Sequence, residues 1–183
     1  MDNPSSRNVA KIPITYNATI PSVMLHEQEE IRVNMACMKV GNTPQWLVAT
    51  VGSCVAVCLF DGVKKCGGMV HIMLPSGGKD KDILPYKYAD TAVPALVESL
   101  QKMGCEKTDL VAKIAGGANM FYDQKIHTVN VGSRNVEAVK KSLAYHDIPL
   151  VASDVGGIHG RRVSFNVFTG IMVVKSFNGE KIL

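Results

Sequence analysis

Two apolar runs dominate the hydrophobic pattern of this chain. The first is Gly52-Ser53-Cys54-Val55-Ala56-Val57-Cys58-Leu59-Phe60-Asp61, and the second is Gly67-Gly68-Met69-Val70-His71-Ile72-Met73-Leu74-Pro75. Each has the length and β-branched content of a strand, and Asp61-Gly62 between them marks a turn. Ahead of them, Trp46 to Val51 is a further apolar run broken by Gly52, and Ile31-Arg32-Val33-Asn34-Met35 alternates like a half-buried strand. Between these lies the turn cluster Gly41-Asn42-Thr43-Pro44. Residues 1–30 hold Pro4, Pro13, Pro21 and the acidic run Glu27-Gln28-Glu29-Glu30 with no sustained period, so they read as an N-terminal arm outside a domain spanning 31–183.

Downstream the period changes. Ala92, Val93, Leu96, Leu100 and Met103 recur at three- and four-residue steps, which predicts a helix over Ala89–Met103 with Asp90 as N-cap and Gly104 just past its end. Leu110 to Ile114 is the next strand, running into Gly116-Gly117. That pair is either a tight turn or a place where another backbone or a substrate comes close. Val136, Val139 and Leu143 line one face of a second helix, with Ser133 as its cap and a stop before Pro149. A short strand Leu150–Ala152 follows, then a turn at Asp154-Val155-Gly156-Gly157. Val163, Phe165 and Val167 alternate, as do Ile171 and Val173, and Thr169-Gly170 joins the two runs into a hairpin. Strands outnumber helices and the last ones pair locally. The expected class is α+β, with mixed or antiparallel sheets and helices packed outside.

Composition narrows the function classes. At 183 residues, 46% hydrophobic and 20% charged, the chain suits one globular domain. A net charge of +4 with scattered lysines and arginines does not make a nucleic-acid footprint. No apolar run approaches the roughly 20 residues of a membrane helix. The N-terminus lacks the basic start and apolar centre of a signal peptide, so a cytoplasmic protein without membrane insertion is expected. Five irregularly spaced cysteines suit reduced thiols better than a disulfide framework.

Candidate chemistry gathers on the two dominant runs. Cys54 heads the first and His71 lies on the second, so adjacent strands would bring a nucleophile and a base together. Backbone N–H groups near Ser53 and Cys54 would then be placed to hold an acyl oxygen. The competing reading is a core cysteine beside a satisfied core histidine. Cys54, Cys58, Cys66 and His71 are also zinc-ligand types. However, four residues of strand span roughly 13 Å, too far for Cys54 and Cys58 to share an ion without a bend. Cys37, Cys58, Cys66 and Cys105 read as core or surface thiols. His26, His127 and His146 lie in polar contexts, while His159 sits beside a glycine turn. The polar loop Ser76 to Asp82 follows the histidine strand and is placed to rim a site. No nucleotide-binding motif occurs, and no cofactor or metal is expected.

A wider set of residues carries a resemblance. Gly52-Ser53-Cys54, Asp61, Gly68 to Pro75, Lys87-Tyr88-Ala89-Asp90-Thr91-Ala92, Lys113 to Ala118 and Gly132-Ser133-Arg134-Asn135 together resemble CheD, the chemoreceptor glutamine deamidase family of chemotaxis. The likeness runs from about residue 46 to 175. It implies an α/β sandwich similar to the catalytic domain of a deamidating toxin. It also implies hydrolysis of receptor glutamine side chains to glutamate with release of ammonia. In that scheme Cys54 is the nucleophile, forming a thioester intermediate, and His71 is the base. Its implied partners are the cytoplasmic helices of chemoreceptors and a CheC-type phosphatase. The family usually has a threonine six residues before the nucleophile, where this chain has Val48. Thr50, on the same strand parity as Gly52 and Cys54, is the candidate replacement; the alternative is a backbone carbonyl that orients His71. Two other functions stay open at this stage: a non-catalytic module regulating CheC, and other acyl chemistry on the same pair, such as transglutamination.

Overall fold

The computed structural model describes residues 30–77, 84–120 and 130–183. The expected arm therefore lies outside the described residues apart from Glu30. His26, His127 and most of the polar loop after Pro75 lie outside them as well.

Among the described residues, ten strands form two five-stranded sheets. The first orders β1 (Glu30–Arg32), β3 (Trp46–Val51), β8 (Arg161–Asn166), β9 (Met172–Ser176) and β10 (Gly179–Ile182). The second orders β2 (Met38–Gly41), β5 (Cys66–Ile72), β4 (Val55–Asp61), β6 (Leu110–Gly116) and β7 (Leu150–Val155). Among the strands of the described residues, β1–β3 and β6–β7 pair in parallel and the rest are antiparallel. Among the described residues, two α-helices, α1 (Ala89–Lys102) and α2 (Val131–Tyr145), complete an α+β architecture.

The layers follow from the side-chain pattern. Alternate residues of β3, β4 and β8, among them Leu47, Ala49, Ala56, Val163 and Phe165, fill the space between the sheets. The other face of β4 and β5, with Val55, Val57, Leu59, Val70 and Ile72, meets Leu96, Leu100, Val139 and Leu143 of the helices. β4 and β5 are therefore buried on both sides. That is why they read as unbroken apolar runs and not as alternating strands. Each fully buried aliphatic side chain here contributes roughly 1.5–3 kcal/mol, so the doubly covered pair is the centre of stability.

Several local expectations shift. The N-cap of α1 is Tyr88, and Asp90 lies within its first turn. Asp90 sits too far in to cap, but its carboxylate still faces the positive end of the helix dipole. The cap of α2 is Asn130, whose side-chain oxygen accepts from the Ser133 amide at 3.0 Å. Ser133 is thus the capped residue, not the cap. Gly104 sits past the end of α1 in the left-handed region, as the sequence implied. Cys66 and Cys105 are joined by a disulfide, in place of the expected reduced thiols. Their shared spacing carried no signal because the fold alone brings the end of β5 to the end of α1. Among the described residues, no helix is long and apolar enough to cross a membrane.

Candidate active site

The chain crosses from one sheet to the other between β3 and β4, and Cys54 sits in that crossing. All three carbonyls of the crossing are held. Gly52 O accepts from Ala118 N at 2.8 Å, and Cys54 O accepts from Gly117 N at 2.7 Å. Ser53 O accepts from the side-chain amide of Asn135 at 2.9 Å. Gly116 and Gly117 answer the question left by their sequence. A Cβ on Gly116, which has φ +121°, would strike the Cys54 carbonyl, and one on Gly117 would strike α2. The glycines let backbone pass against the crossing and the helix.

Strand register sets His71 at the end of the ladder that Cys54 precedes. β4 and β5 are antiparallel with Ala56 opposite His71 and Val55 opposite Ile72. The ladder ends at that last pair, so Cys54 lies one residue before β4, at the same end of the ladder as His71, and His71 shares the face of Ala56. That face is the inner one, where both Ala56 and Cys54 join the core between the sheets.

The histidine is 3% exposed and its Nδ1 lies 3.2 Å from the Val33 carbonyl oxygen. A carbonyl only accepts, so Nδ1 carries the proton and Nε2 keeps a free lone pair. Nε2 is buried and has no hydrogen-bond partner among the described residues. Val33 reaches this position through a bulge. Ala36 N donates to His71 O, and His71 N donates to Cys37 O, so two residues oppose one histidine. Ala36 takes φ +55°, and Cys37 N closes the turn onto Asn34 O.

Burial governs the charges of both groups. It pushes the half-buried Cys54 thiol up, opposed by a hydrogen bond from its own backbone N–H. It pushes His71 down, opposed by the bond to Val33. The resting pair is therefore a neutral thiol and a neutral imidazole at pH 7, and not an ion pair.

Thr50 stands apart. It is exposed in β3 and pairs with Arg162, while its neighbours Ala49 and Val51 face inward. The parity that grouped it with Cys54 ends at Gly52, where the chain leaves one sheet for the other. The contact to His71 Nδ1 comes instead from the Val33 carbonyl, the backbone alternative that the sequence left open. His146 ends α2, and exposed His159 stacks near Phe177; neither joins Cys54. His159, Asp154, Arg161 and Lys181 line a separate cleft of about 290 Å³ that includes neither Cys54 nor His71. Among the described residues, no three or more His, Cys, Asp or Glu side chains are grouped to hold a metal ion. Sequence reasoning missed Val33 and Asn135. Both act through groups whose targets are set only by the fold, although Asn135 does lie in a motif the sequence singled out.

Comparison with known proteins gives this geometry its family. The family pattern described as CheD chemotactic sensory transduction matches residues 73–176. The chain belongs to the CheD family. A relative from Clostridium botulinum (strain Hall), named "Probable chemoreceptor glutamine deamidase CheD", is 42% identical over 151 residues, covering 81% of this chain and 93% of the relative. One of the same name from Desulfitobacterium hafniense is 44% identical over 156 residues, covering 84% and 98%. Among solved structures, the hypothetical protein YfiH of Bacillus licheniformis is similar over 64% of this chain and 49% of its own, at 16% identity and a TM-score of 0.41.

Proposed function

We propose that this protein is a chemoreceptor glutamine deamidase in which Cys54 is the nucleophile and His71 the general base. The observation that carries the reading is the shared inner face of the two residues. His71 is fixed by Val33 with its Nε2 lone pair free, in a chain whose relatives bear that name.

The chemistry follows from the neutral resting pair. His71 Nε2 takes the thiol proton as Cys54 Sγ attacks the carboxamide carbon of a glutamine side chain. The oxygen of the tetrahedral intermediate gains negative charge facing the Cys54 N–H. When the C–N bond breaks, His71 returns the proton to the leaving nitrogen, and ammonia departs from a thioester. His71 then takes a proton from water, which attacks the thioester carbon. The C–S bond breaks, leaving glutamate and restoring the thiol. Water enters, ammonia leaves, and no external oxidant or cofactor takes part.

We place this activity in the cytoplasm, on residues 31–183, with a CheC-type phosphatase as regulatory partner and residues 1–30 as an arm outside the catalytic unit. These assignments rest on the family resemblance. The test is mass spectrometry of a receptor fragment incubated with the full chain, which reads a gain of about one dalton per converted glutamine. Cys54→Ala and His71→Ala should each reduce conversion by about a thousandfold or more, since the nucleophile and base act as a unit. Thr50→Ala should stay within about twofold of wild type, because the side chain lies on the outer face. Equal conversion by wild type and Cys54→Ala would end this reading.

A further inference from the structure

The side chain of Asn135 is fully buried in α2, remote in sequence from both candidate reacting groups. Its Nδ2 donates to Ser53 O at 2.9 Å and to Met73 O at 2.8 Å. Two carbonyls can only accept, so the amide nitrogen is the end that faces them. Ser53 immediately precedes Cys54, and Met73 lies two residues beyond His71. One side chain therefore joins the ends of both strands that bear the pair.

The bond to Ser53 has a directional consequence. A trans peptide is planar, with its C=O and N–H pointing in opposite directions. Ser53 O is drawn toward α2, which packs on the outer face of the second sheet. The N–H of the same peptide belongs to Cys54 and so points away from the helix, toward the inner face. The Cys54 N–H also pulls the thiol's titration down, against the larger upward push of burial. Of the three carbonyls in the crossing, those of Gly52 and Cys54 are held by backbone amides. Only the Ser53 link depends on a side chain, and this is the link that aims the Cys54 N–H.

We propose that Asn135 is a positioning residue: its amide locks the Ser53–Cys54 peptide so that the Cys54 N–H faces the thiolate and the reacting carbonyl oxygen, and it ties that peptide to the end of the histidine strand. This rests on the deamidase reading for its consequence in turnover, but not for its effect on the thiol. Without Asn135 the peptide is free to rotate. The thiolate loses its N–H donor, and so does the developing oxyanion. Substrate binding outside the reacting centre is unaffected.

The test compares the full-length wild type with Asn135→Ala and with Val139→Ala, a buried packing change one turn further along α2. Two quantities are read: the pH midpoint for iodoacetamide alkylation of Cys54, resolved by peptide mass spectrometry, and the kcat and KM for deamidation of a receptor fragment. Asn135→Ala should move the alkylation midpoint upward and lower kcat by about tenfold to a hundredfold, with KM within about twofold, the pattern of a lost oxyanion donor. Val139→Ala, even at an equal loss of Tm, should leave the midpoint and kcat near wild type. If Asn135→Ala does not fold, Asn135→Ser takes its place, since it leaves room for water to reach the two carbonyls without fixing the peptide. The proposal is overturned if the Asn135 variant alkylates with the wild-type midpoint, or if Val139→Ala shifts the midpoint equally. A wild type that alkylates but deamidates nothing ends the deamidase reading, and the alkylation midpoints then decide the role of Asn135 alone.

Discussion

Burial moves Cys54 and His71 in opposite directions on the pH scale, and this widens the window in which the pair can work. The productive form holds one proton on sulfur and none on Nε2. His71 loses that form on protonation, with a midpoint pressed below its ordinary 6.5 by burial, against the pull of the Val33 bond. Cys54 loses it on ionisation, with a midpoint raised above 9.0 by burial, against its own N–H. The expected kcat/KM profile is flat across neutral pH, with an acid limb below 6.5 and a basic limb above 9.0. A rate profile from pH 5 to 10 checks this, and an acid limb above 6.5 contradicts it. The same shift has a stability sign. Below 6.5 the unfolded chain binds a proton at this histidine that the folded chain resists, so stability falls as pH drops through that region. Both residues were legible in the sequence, since a polar side chain inside an apolar strand stands out. Their protonation was not, because it depends on how deeply the fold buries them and on a carbonyl 38 residues away.

At the scale of elements, the segment between β1 and β2 bears directly on the site. The alternation of Ile31 to Met35 suggested a longer strand, but β1 ends at Arg32 and the chain turns into a bulge opposite His71. The bulge places Ala36 at φ +55°, a region that disfavours any residue with a Cβ. Ala36→Gly should therefore raise unfolding free energy by up to about 1 kcal/mol, the relief of left-handed strain less the added freedom of glycine when unfolded. Urea unfolding measures it, and a clear loss of stability would show that the Cβ makes contacts outweighing the strain. Helices α1 and α2 were far more legible, because a three-to-four-residue period survives in any context that buries one face. Their caps were less so. Asp90 and Ser133 are favoured cap types, yet Tyr88 and Asn130 hold those positions, since the cap is fixed by where the preceding chain enters.

Over the whole molecule, the Cys66–Cys105 disulfide joins the end of β5 to the segment after α1 across a separation of 39 residues. Chain-entropy reasoning gives such a link a contribution of about 4 kcal/mol at most. Reduction should lower the unfolding free energy by roughly 2–4 kcal/mol, and Cys105→Ala should abolish the redox dependence of Tm. An identical Tm with and without reductant would mean that the two buried sulfurs do not bond in solution. The link lies on the helix side of β5, so it braces the histidine strand from behind.

The sequence by itself determined most of the strands (not β2 or β10), both helices, the α+β class, the family resemblance and the two candidate reacting residues, because each is written in local period or in residue type. Tertiary structure alone decided which groups meet. β3 and β4 lie in different sheets, so Thr50 and Cys54 face different environments despite their shared parity. Val33 reaches His71 only because a bulge closes one side of the sandwich. Asn135 reaches Ser53 and Met73 only because α2 packs over the ends of β4 and β5. Hydrogen bonds spanning 38, 62 and 82 residues leave no trace in a local pattern, because loop closure and packing set the partners, not neighbouring residues.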